Sequence, residues 1–268
     1  MVEEFYFGIA DGSSKRAIEK LAPRKLNIMI NYASKVRAVP RNTERLFVDS
    51  GGFSFFYKLN GYPDAPINYL RFVYRVKADY FANRDFPTLP FILERLGMTV
   101  REAQMKTIEN QITLMSLIED YYPKLRPKFV AVLQGWTLDD YLFMLDYMRE
   151  HGLLTKRIGL GSMVRKGEEK ALRKYIVAIR EELPRKYQLH GFGIKFKMLS
   201  FKEVWEALYS VDSLAYKYPV RREWLKGVPV QKKLEMAIQD WISKYETLKA
   251  IHSTQTTLTV FNNKMNAL

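Results

Sequence analysis

The stretch Phe47-Val48-Asp49-Ser50-Gly51-Gly52-Phe53-Ser54 decides how this chain is read. An apolar run, Leu46 to Val48, stops at a carboxylate, and two glycines and an aromatic ring follow. A buried strand that ends in an acid and opens into a glycine turn presents that acid at the C-terminal edge of a sheet. Glycines there tolerate positive φ and let backbone N–H groups approach a ligand closely. Taken alone, Asp-Ser-Gly-Gly is equally the sequence of a strand followed by an ordinary turn. The rest of the chain separates the two readings.

Short runs rich in branched and aromatic residues recur on both sides of it. They cover Glu4–Ile9, Leu26–Tyr32, Leu46–Asp49, Asp79–Asn83, Lys128–Gln134, Arg157–Gly161, Gln188–Ile194 and Ser210–Tyr216. Lacking clean alternation, they have the pattern of strands buried on both faces. Helical spacing separates most of them, over Ser14–Leu21, Asn68–Arg75, Val100–Tyr121, Leu138–Glu150, Gly167–Leu183 and Phe201–Leu208. Strands alternating with helices specify an α/β fold, and eight strands in about 250 residues is the count that closes a (β/α)8 barrel. A doubly wound open sheet is the alternative, but Ile9-Ala10-Asp11-Gly12 is not the Gly-x-Gly-x-x-Gly turn such a sheet usually carries after its first strand.

The expected organisation is a catalytic barrel over 1–220 and a C-terminal helical extension over 221–268. Leu234, Ile238, Trp241, Tyr245 and Leu248 fall at three- and four-residue steps, as on a helix packed against the barrel. The polar tail Ser253–Leu268 reads as loosely held, and the proline pairs at Pro63–Pro66 and Pro87–Pro90 read as loops.

Composition narrows the function classes. The chain of 268 residues has no cysteine and three histidines far apart, which excludes disulfides and thiolate metal sites and argues against a histidine metal cluster. No cofactor and no metal is expected. No apolar run approaches the length of a membrane span, and Met1-Val2-Glu3-Glu4 lacks the basic head of a signal peptide. A cytoplasmic protein is the expectation. The net charge of +14 favours a polyanionic partner, most often nucleic acid, and an aromatic content of 14% suits base stacking as well as a core.

In a (β/α)8 barrel the active site lies at the C-terminal strand ends. Those ends carry Asn31, Asp49, Asp85, Gln134-Gly135, Gly161-Ser162, Gly191 to Gly193, and Asp212-Ser213. Three carboxylates and an amide would then converge on one mouth. Paired carboxylates suit glycosyl chemistry, one attacking or stabilising an oxocarbenium-like carbon while the other moves a proton.

At these residues the chain resembles the tRNA-guanine transglycosylase superfamily, enzymes that exchange guanine for a 7-deazaguanine base. The resemblance follows chain order over about residues 4–218. Val48-Asp49-Ser50-Gly51-Gly52-Phe53 looks like the family's Asp-Ser-Gly-Gly-aromatic signature, the most specific of the matches. Asp85 with Pro87, Val132-Leu133-Gln134-Gly135, Gly159-Leu160-Gly161-Ser162 and Leu189-His190-Gly191-Phe192-Gly193 are similar to its later strand ends, and Val211-Asp212-Ser213 falls where the family keeps its nucleophile. The Cys/His zinc site of the tRNA enzymes cannot be built here, and the residues after Asp212 do not follow the family's Leu-Pro-Thr-Arg pattern. A compact, zinc-less relative is more similar to the branch that inserts 7-deazaguanines such as preQ0 into DNA, found in phages, archaeal viruses and genomic modification clusters.

The resemblance implies a double displacement. Asp212 would be the nucleophile and Asp49 the proton shuttle. Asp85 would accept hydrogen bonds from the guanine edge, with Ser50, Gly51, Gln134, Gly135, Gly161 and Gly191 completing base recognition. Phe53 and His190 would sandwich the ring, His190 replacing the family's methionine, and Asn31 would orient the acids. Lys195, Lys197, Lys217, Arg221 and Arg222 would contact phosphates. The implied partners are a polynucleotide, DNA favoured over tRNA, and a free 7-deazaguanine. The residues also suit a hydrolytic glycosidase of nucleosides or sugars, and the charge alone suits a barrel that binds nucleic acid without chemistry.

Overall fold

The computed structural model describes residues 1–34, 36, 38–164, 168–217 and 227–265. Eight parallel strands close on themselves in chain order: β1 (Glu4–Ile9), β2 (Leu26–Asn31), β3 (Thr43–Asp49), β4 (Tyr80–Ala82), β5 (Phe129–Leu133), β6 (Arg157–Leu160), β7 (Gln188–Gly191) and β8 (Ser210–Ser213). The last pairing, β1 with β8, sets Tyr6 beside Asp212. The fold is therefore the (β/α)8 barrel. Around it lie α1 (Gly12–Glu19), α2 (Gly52–Leu59), α3 (Pro66–Arg75), α4 (Pro90–Leu96), α5 (Val100–Tyr121), α6 (Leu138–Glu150), α7 (Glu169–Glu181), α8 (Phe196–Leu199), α9 (Lys202–Ala207) and α10 (Val230–Met265).

Local chemistry explains the boundaries. Thr99 and Thr137 cap α5 and α6 reciprocally with Glu102 and Asp140, which satisfies N–H groups that a helix start leaves open. The second proline of each pair read as a loop instead opens a helix, Pro66 for α3 and Pro90 for α4. Its missing N–H is one that the first helical turn does not use. The tail read as loosely held continues α10 as far as Met265. Leu234, Ile238 and Trp241 of α10 are buried in the same core as β1, with the Trp241 ring 4.5 Å from Phe196 and 6.0 Å from Phe5. Burying each such side chain contributes about 1.5–3 kcal/mol, so the helix is bound mainly through this apolar stripe.

Strand alternation divides the barrel interior into three levels. At the bottom Glu4 accepts from Arg157 and Arg45, each at 2.8 Å, and from the Tyr6 hydroxyl at 2.8 Å. The Arg157 guanidinium also lies 3.7 Å from the Tyr80 ring centroid. In the middle, Tyr6, Met29, Phe47, Ala82, Val130 and Val132 form an apolar plug separate from the outer core. Two residues further along the strands, on the same face, come the polar side chains of the mouth.

Candidate active site

Phe47 belongs to the plug, so period two places Asp49 above it. By the same step Asn31 stands above Met29, Gln134 above Val132 and Asp212 above Ser210. Parallel register makes Asn31 and Asp49 neighbours on adjacent strands. The Asn31 amide donates to Asp49 Oδ2 at 2.8 Å, and its carbonyl accepts from the Ala33 N–H at 2.8 Å. Gly51 holds the turn above them at φ +81°, and a Cβ there would lie 2.8 Å from Asn31 Oδ1 and from Ala33 Cβ. The Gly51 and Ser50 N–H groups bond back to Asp49.

Asp85 comes from the loop after β4, which α5 holds. Thr107 Oγ1 accepts from the Phe86 N–H at 2.9 Å and Asn110 donates to Arg84 O at 2.7 Å. Asp85 Oδ1 accepts from Ser50 Oγ at 3.1 Å, and Oδ2 accepts from the Gln134 amide. Ser162 Oγ donates to Gln134 Oε1 at 2.7 Å, which fixes which end of that amide faces the carboxylate. The Tyr62 hydroxyl lies 3.0 Å from Ser50 Oγ and donates to Asp85 O at 2.9 Å.

Asp49, Asp85 and Asp212 open into one cavity of about 420 Å³, within the range of small-molecule sites. Asn31, Gln134, Gly161 and Ser162 add polar lining, and Met29, Phe53, Phe91 and Phe192 supply flat apolar walls. A second cavity of about 230 Å³ adjoins it, and Asp49 and Asp212 line both. The two acids therefore stand at the junction, with the larger, aromatic-walled cavity on one side and a smaller recess containing Ser34 and Lys58 on the other.

The electrostatics separate the acids. Burial raises the Asp49 pKa to about 7, the negative charges of Asp85 and Asp212 add to the rise, and the Gly51 and Ser50 N–H groups oppose it. Near neutral pH such a group both gives and takes a proton. Burial also raises Asp85, while its bonds from Gln134 and Ser50 favour the carboxylate. Asp212 Oδ1 accepts from the Gly193 N–H at 2.9 Å.

The placement of His190 differs from the sequence expectation. Its side chain is fully buried, and it is absent from the cavity lining. Because His190 pairs with Ser210 in register, it lies one level below the mouth. Its Nδ1 is 2.9 Å from Ser210 Oγ and its Nε2 is 3.4 Å from Asp212 Oδ1. Burial favours the neutral imidazole, against the pull of Asp212. Phe192, whose centroid is 4.6 Å from the His190 ring, takes the wall position that His190 was expected to fill.

The other expected residues divide clearly. Asn31, Phe53, Gln134 and Gly161 line the main cavity. Ser50, Gly51, Gly135 and Gly191 stand behind it: Ser50 supports Asp85 and Gly135 O accepts from Thr88 Oγ1 at 2.8 Å. Lys195 is 3.8 Å from Glu169, and Lys217 is paired with Asp11; Lys197 is exposed. Arg221 and Arg222 lie outside the described residues. Sequence reading overlooked Tyr62, Phe91 and Phe192; a tyrosine three residues past the end of α2 carries no local signal of its contact with Asp85.

A closed parallel barrel with acids at the C-terminal mouth, around a cavity sized for a small ring, defines the class of (β/α)8-barrel enzymes. Over residues 1–264 the chain matches the family described as DpdA, DeoxyPurine in DNA protein A, and it belongs to that family. The family is one of transglycosylase-like enzymes of DNA modification, with DNA as the substrate. No curated protein matches the chain. No helix among the described residues is long and apolar enough to cross a membrane.

Proposed function

We propose that the protein exchanges guanine in DNA for a 7-deazaguanine such as preQ0 through a covalent aspartyl intermediate. The observation that carries this reading is that Asp49 and Asp212 line both adjoining cavities. A purine in the larger cavity and its sugar in the recess put the C1′–N9 bond between the two acids.

An Asp212 carboxylate oxygen attacks C1′. The C1′–N9 bond breaks, its electron pair stays with the purine, and Asp49 supplies the proton that neutralises the leaving guanine. The incoming base then returns a proton to Asp49, and its N9 displaces Asp212 from C1′. Two inversions retain the configuration at the sugar. A proton donor and acceptor with a pKa of about 7 suits both halves. Asp85 accepts from the N1–H and exocyclic amine edge of either base, an edge that guanine and 7-deazaguanines share. The target base must leave its stack, which costs a few kcal/mol in a duplex.

The test is to incubate the protein with labelled 7-deazaguanine and either DNA or tRNA. Label is expected in DNA and not in tRNA. Label in tRNA alone would overturn the choice of polymer. Release of free guanine without uptake of label would make the protein a hydrolase.

A further inference from the structure

The glycine turn after β3 launches α2, and this helix carries Phe53 and Tyr57 one turn apart on one face. Their rings are stacked, with centroids 5.9 Å apart and planes 14° apart. Phe91 of α4 stands nearly perpendicular to both, at 6.4 Å from Phe53 and 6.3 Å from Tyr57. All three are half open to solvent: Phe53 52%, Tyr57 56% and Phe91 47%. Phe53 and Phe91 line the main cavity and Tyr57 does not. The aromatic row therefore begins at the cavity wall and continues onto the surface. Its backbone is braced, because Arg95 of α4 donates to Tyr57 O at 3.0 Å and to Phe56 O.

We propose that Tyr57, stacked behind Phe53, is a platform for the nucleobase next to the guanine that enters the cavity. This deepens the exchange reading and rests on it for the position of the target base. Exposed rings held at a cavity mouth leave apolar faces in water. Nucleobases fit such faces whatever their sequence, because every base has a flat π surface. Drawing one nucleotide out of its stack exposes a face of its neighbour, and Tyr57 covers that face. The +14 charge favours a nucleic-acid strand as occupant over a neutral or basic protein surface, and the neighbouring exposed Lys58 offers a phosphate contact.

The experiment measures binding of a fluorescently labelled, guanine-containing single-stranded oligodeoxynucleotide to the intact wild type, Tyr57→Ala and Tyr57→Phe, each over a salt series. Melting curves check that the exposed substitutions leave the fold intact. Tyr57→Ala should weaken binding about tenfold, with Tyr57→Phe near wild type. The slope of log Kd against log salt should be unchanged, because stacking displaces no counterions. The same affinity for Tyr57→Ala and wild type would overturn the proposal, and so would a flatter salt slope for Tyr57→Ala. A change in oligomeric state with unaltered DNA affinity would overturn it too and assign the patch to a protein contact. Label uptake, scored in parallel, keeps the two readings apart. A wild type that takes up label while Tyr57→Ala binds DNA normally sinks the platform alone. A wild type that binds DNA through Tyr57 without taking up label sinks the exchange alone.

Discussion

Asn31 and Asp49 are register partners on β2 and β3, and the Asn31 amide donates to Asp49 Oδ2 at 2.8 Å. A donor on the ionised oxygen favours the carboxylate. It therefore restrains a pKa that burial has already raised to about 7. Asn31→Ala should push that pKa further up and shift the pH profile of base exchange to higher pH. The rate at neutral pH should fall about tenfold or more as the acid loses its orientation. An unshifted profile would show that the amide does not act on the proton.

Asp49 also makes a stability prediction. Its folded pKa of about 7 lies above the roughly 3.9 of an exposed aspartate. Between those values the native state binds the additional proton, so the stability from this group falls as pH rises from about 4 to 7 and is lost above that. Asp49→Asn removes the titration. Relative to wild type, the variant should gain about 1–3 kcal/mol between pH 5 and pH 8. Urea unfolding at those two pH values measures it, and parallel stability curves would contradict the assigned shift.

Gly161 lies against Gln134 so closely that a Cβ there would stand 2.2 Å from Gln134 Nε2. Gly161→Ala should displace that amide from Asp85 and weaken binding of free guanine about tenfold. The melting temperature should change little, since Gly161 has an ordinary φ and the displaced group borders the cavity. Calorimetric titration with guanine reads this out.

His190 supports Asp212 from beneath, with Nε2 at 3.4 Å from Oδ1, and does not face the purine cavity. His190→Leu should lower the rate of guanine release while leaving the affinity for free guanine within about twofold of wild type. A large loss of base affinity with an unchanged rate would restore it to the base site.

The barrel was legible because its strands are short, dense in branched and aromatic residues and spaced by helices. The acids at strand ends were legible because a carboxylate after an apolar run, as in Leu46–Asp49, has few buried uses. The level of each residue inside the barrel was not. His190 and Asp212 both follow apolar runs, and only the pairing of His190 with Ser210 shows that the histidine sits one step lower. Register between strands depends on closure of the whole sheet, which no local pattern encodes. Helix α2 was hidden because Gly52–Leu59 is short and opens directly on the glycine turn that ends the strand. Tyr62 reaches Asp85 only because the loop after α2 folds back against the loop after β4.

The most direct measurement is to trap the intermediate. Protein and guanine-containing DNA are incubated without an incoming base, denatured, digested with protease and nuclease, and mapped by mass spectrometry. The expected result is a deoxyribosyl adduct on the peptide containing Asp212, missing in Asp212→Ala and retained in Asp85→Asn at reduced yield. An adduct on Asp49, or base exchange that continues in Asp212→Ala, would contradict the assignment of the two acids.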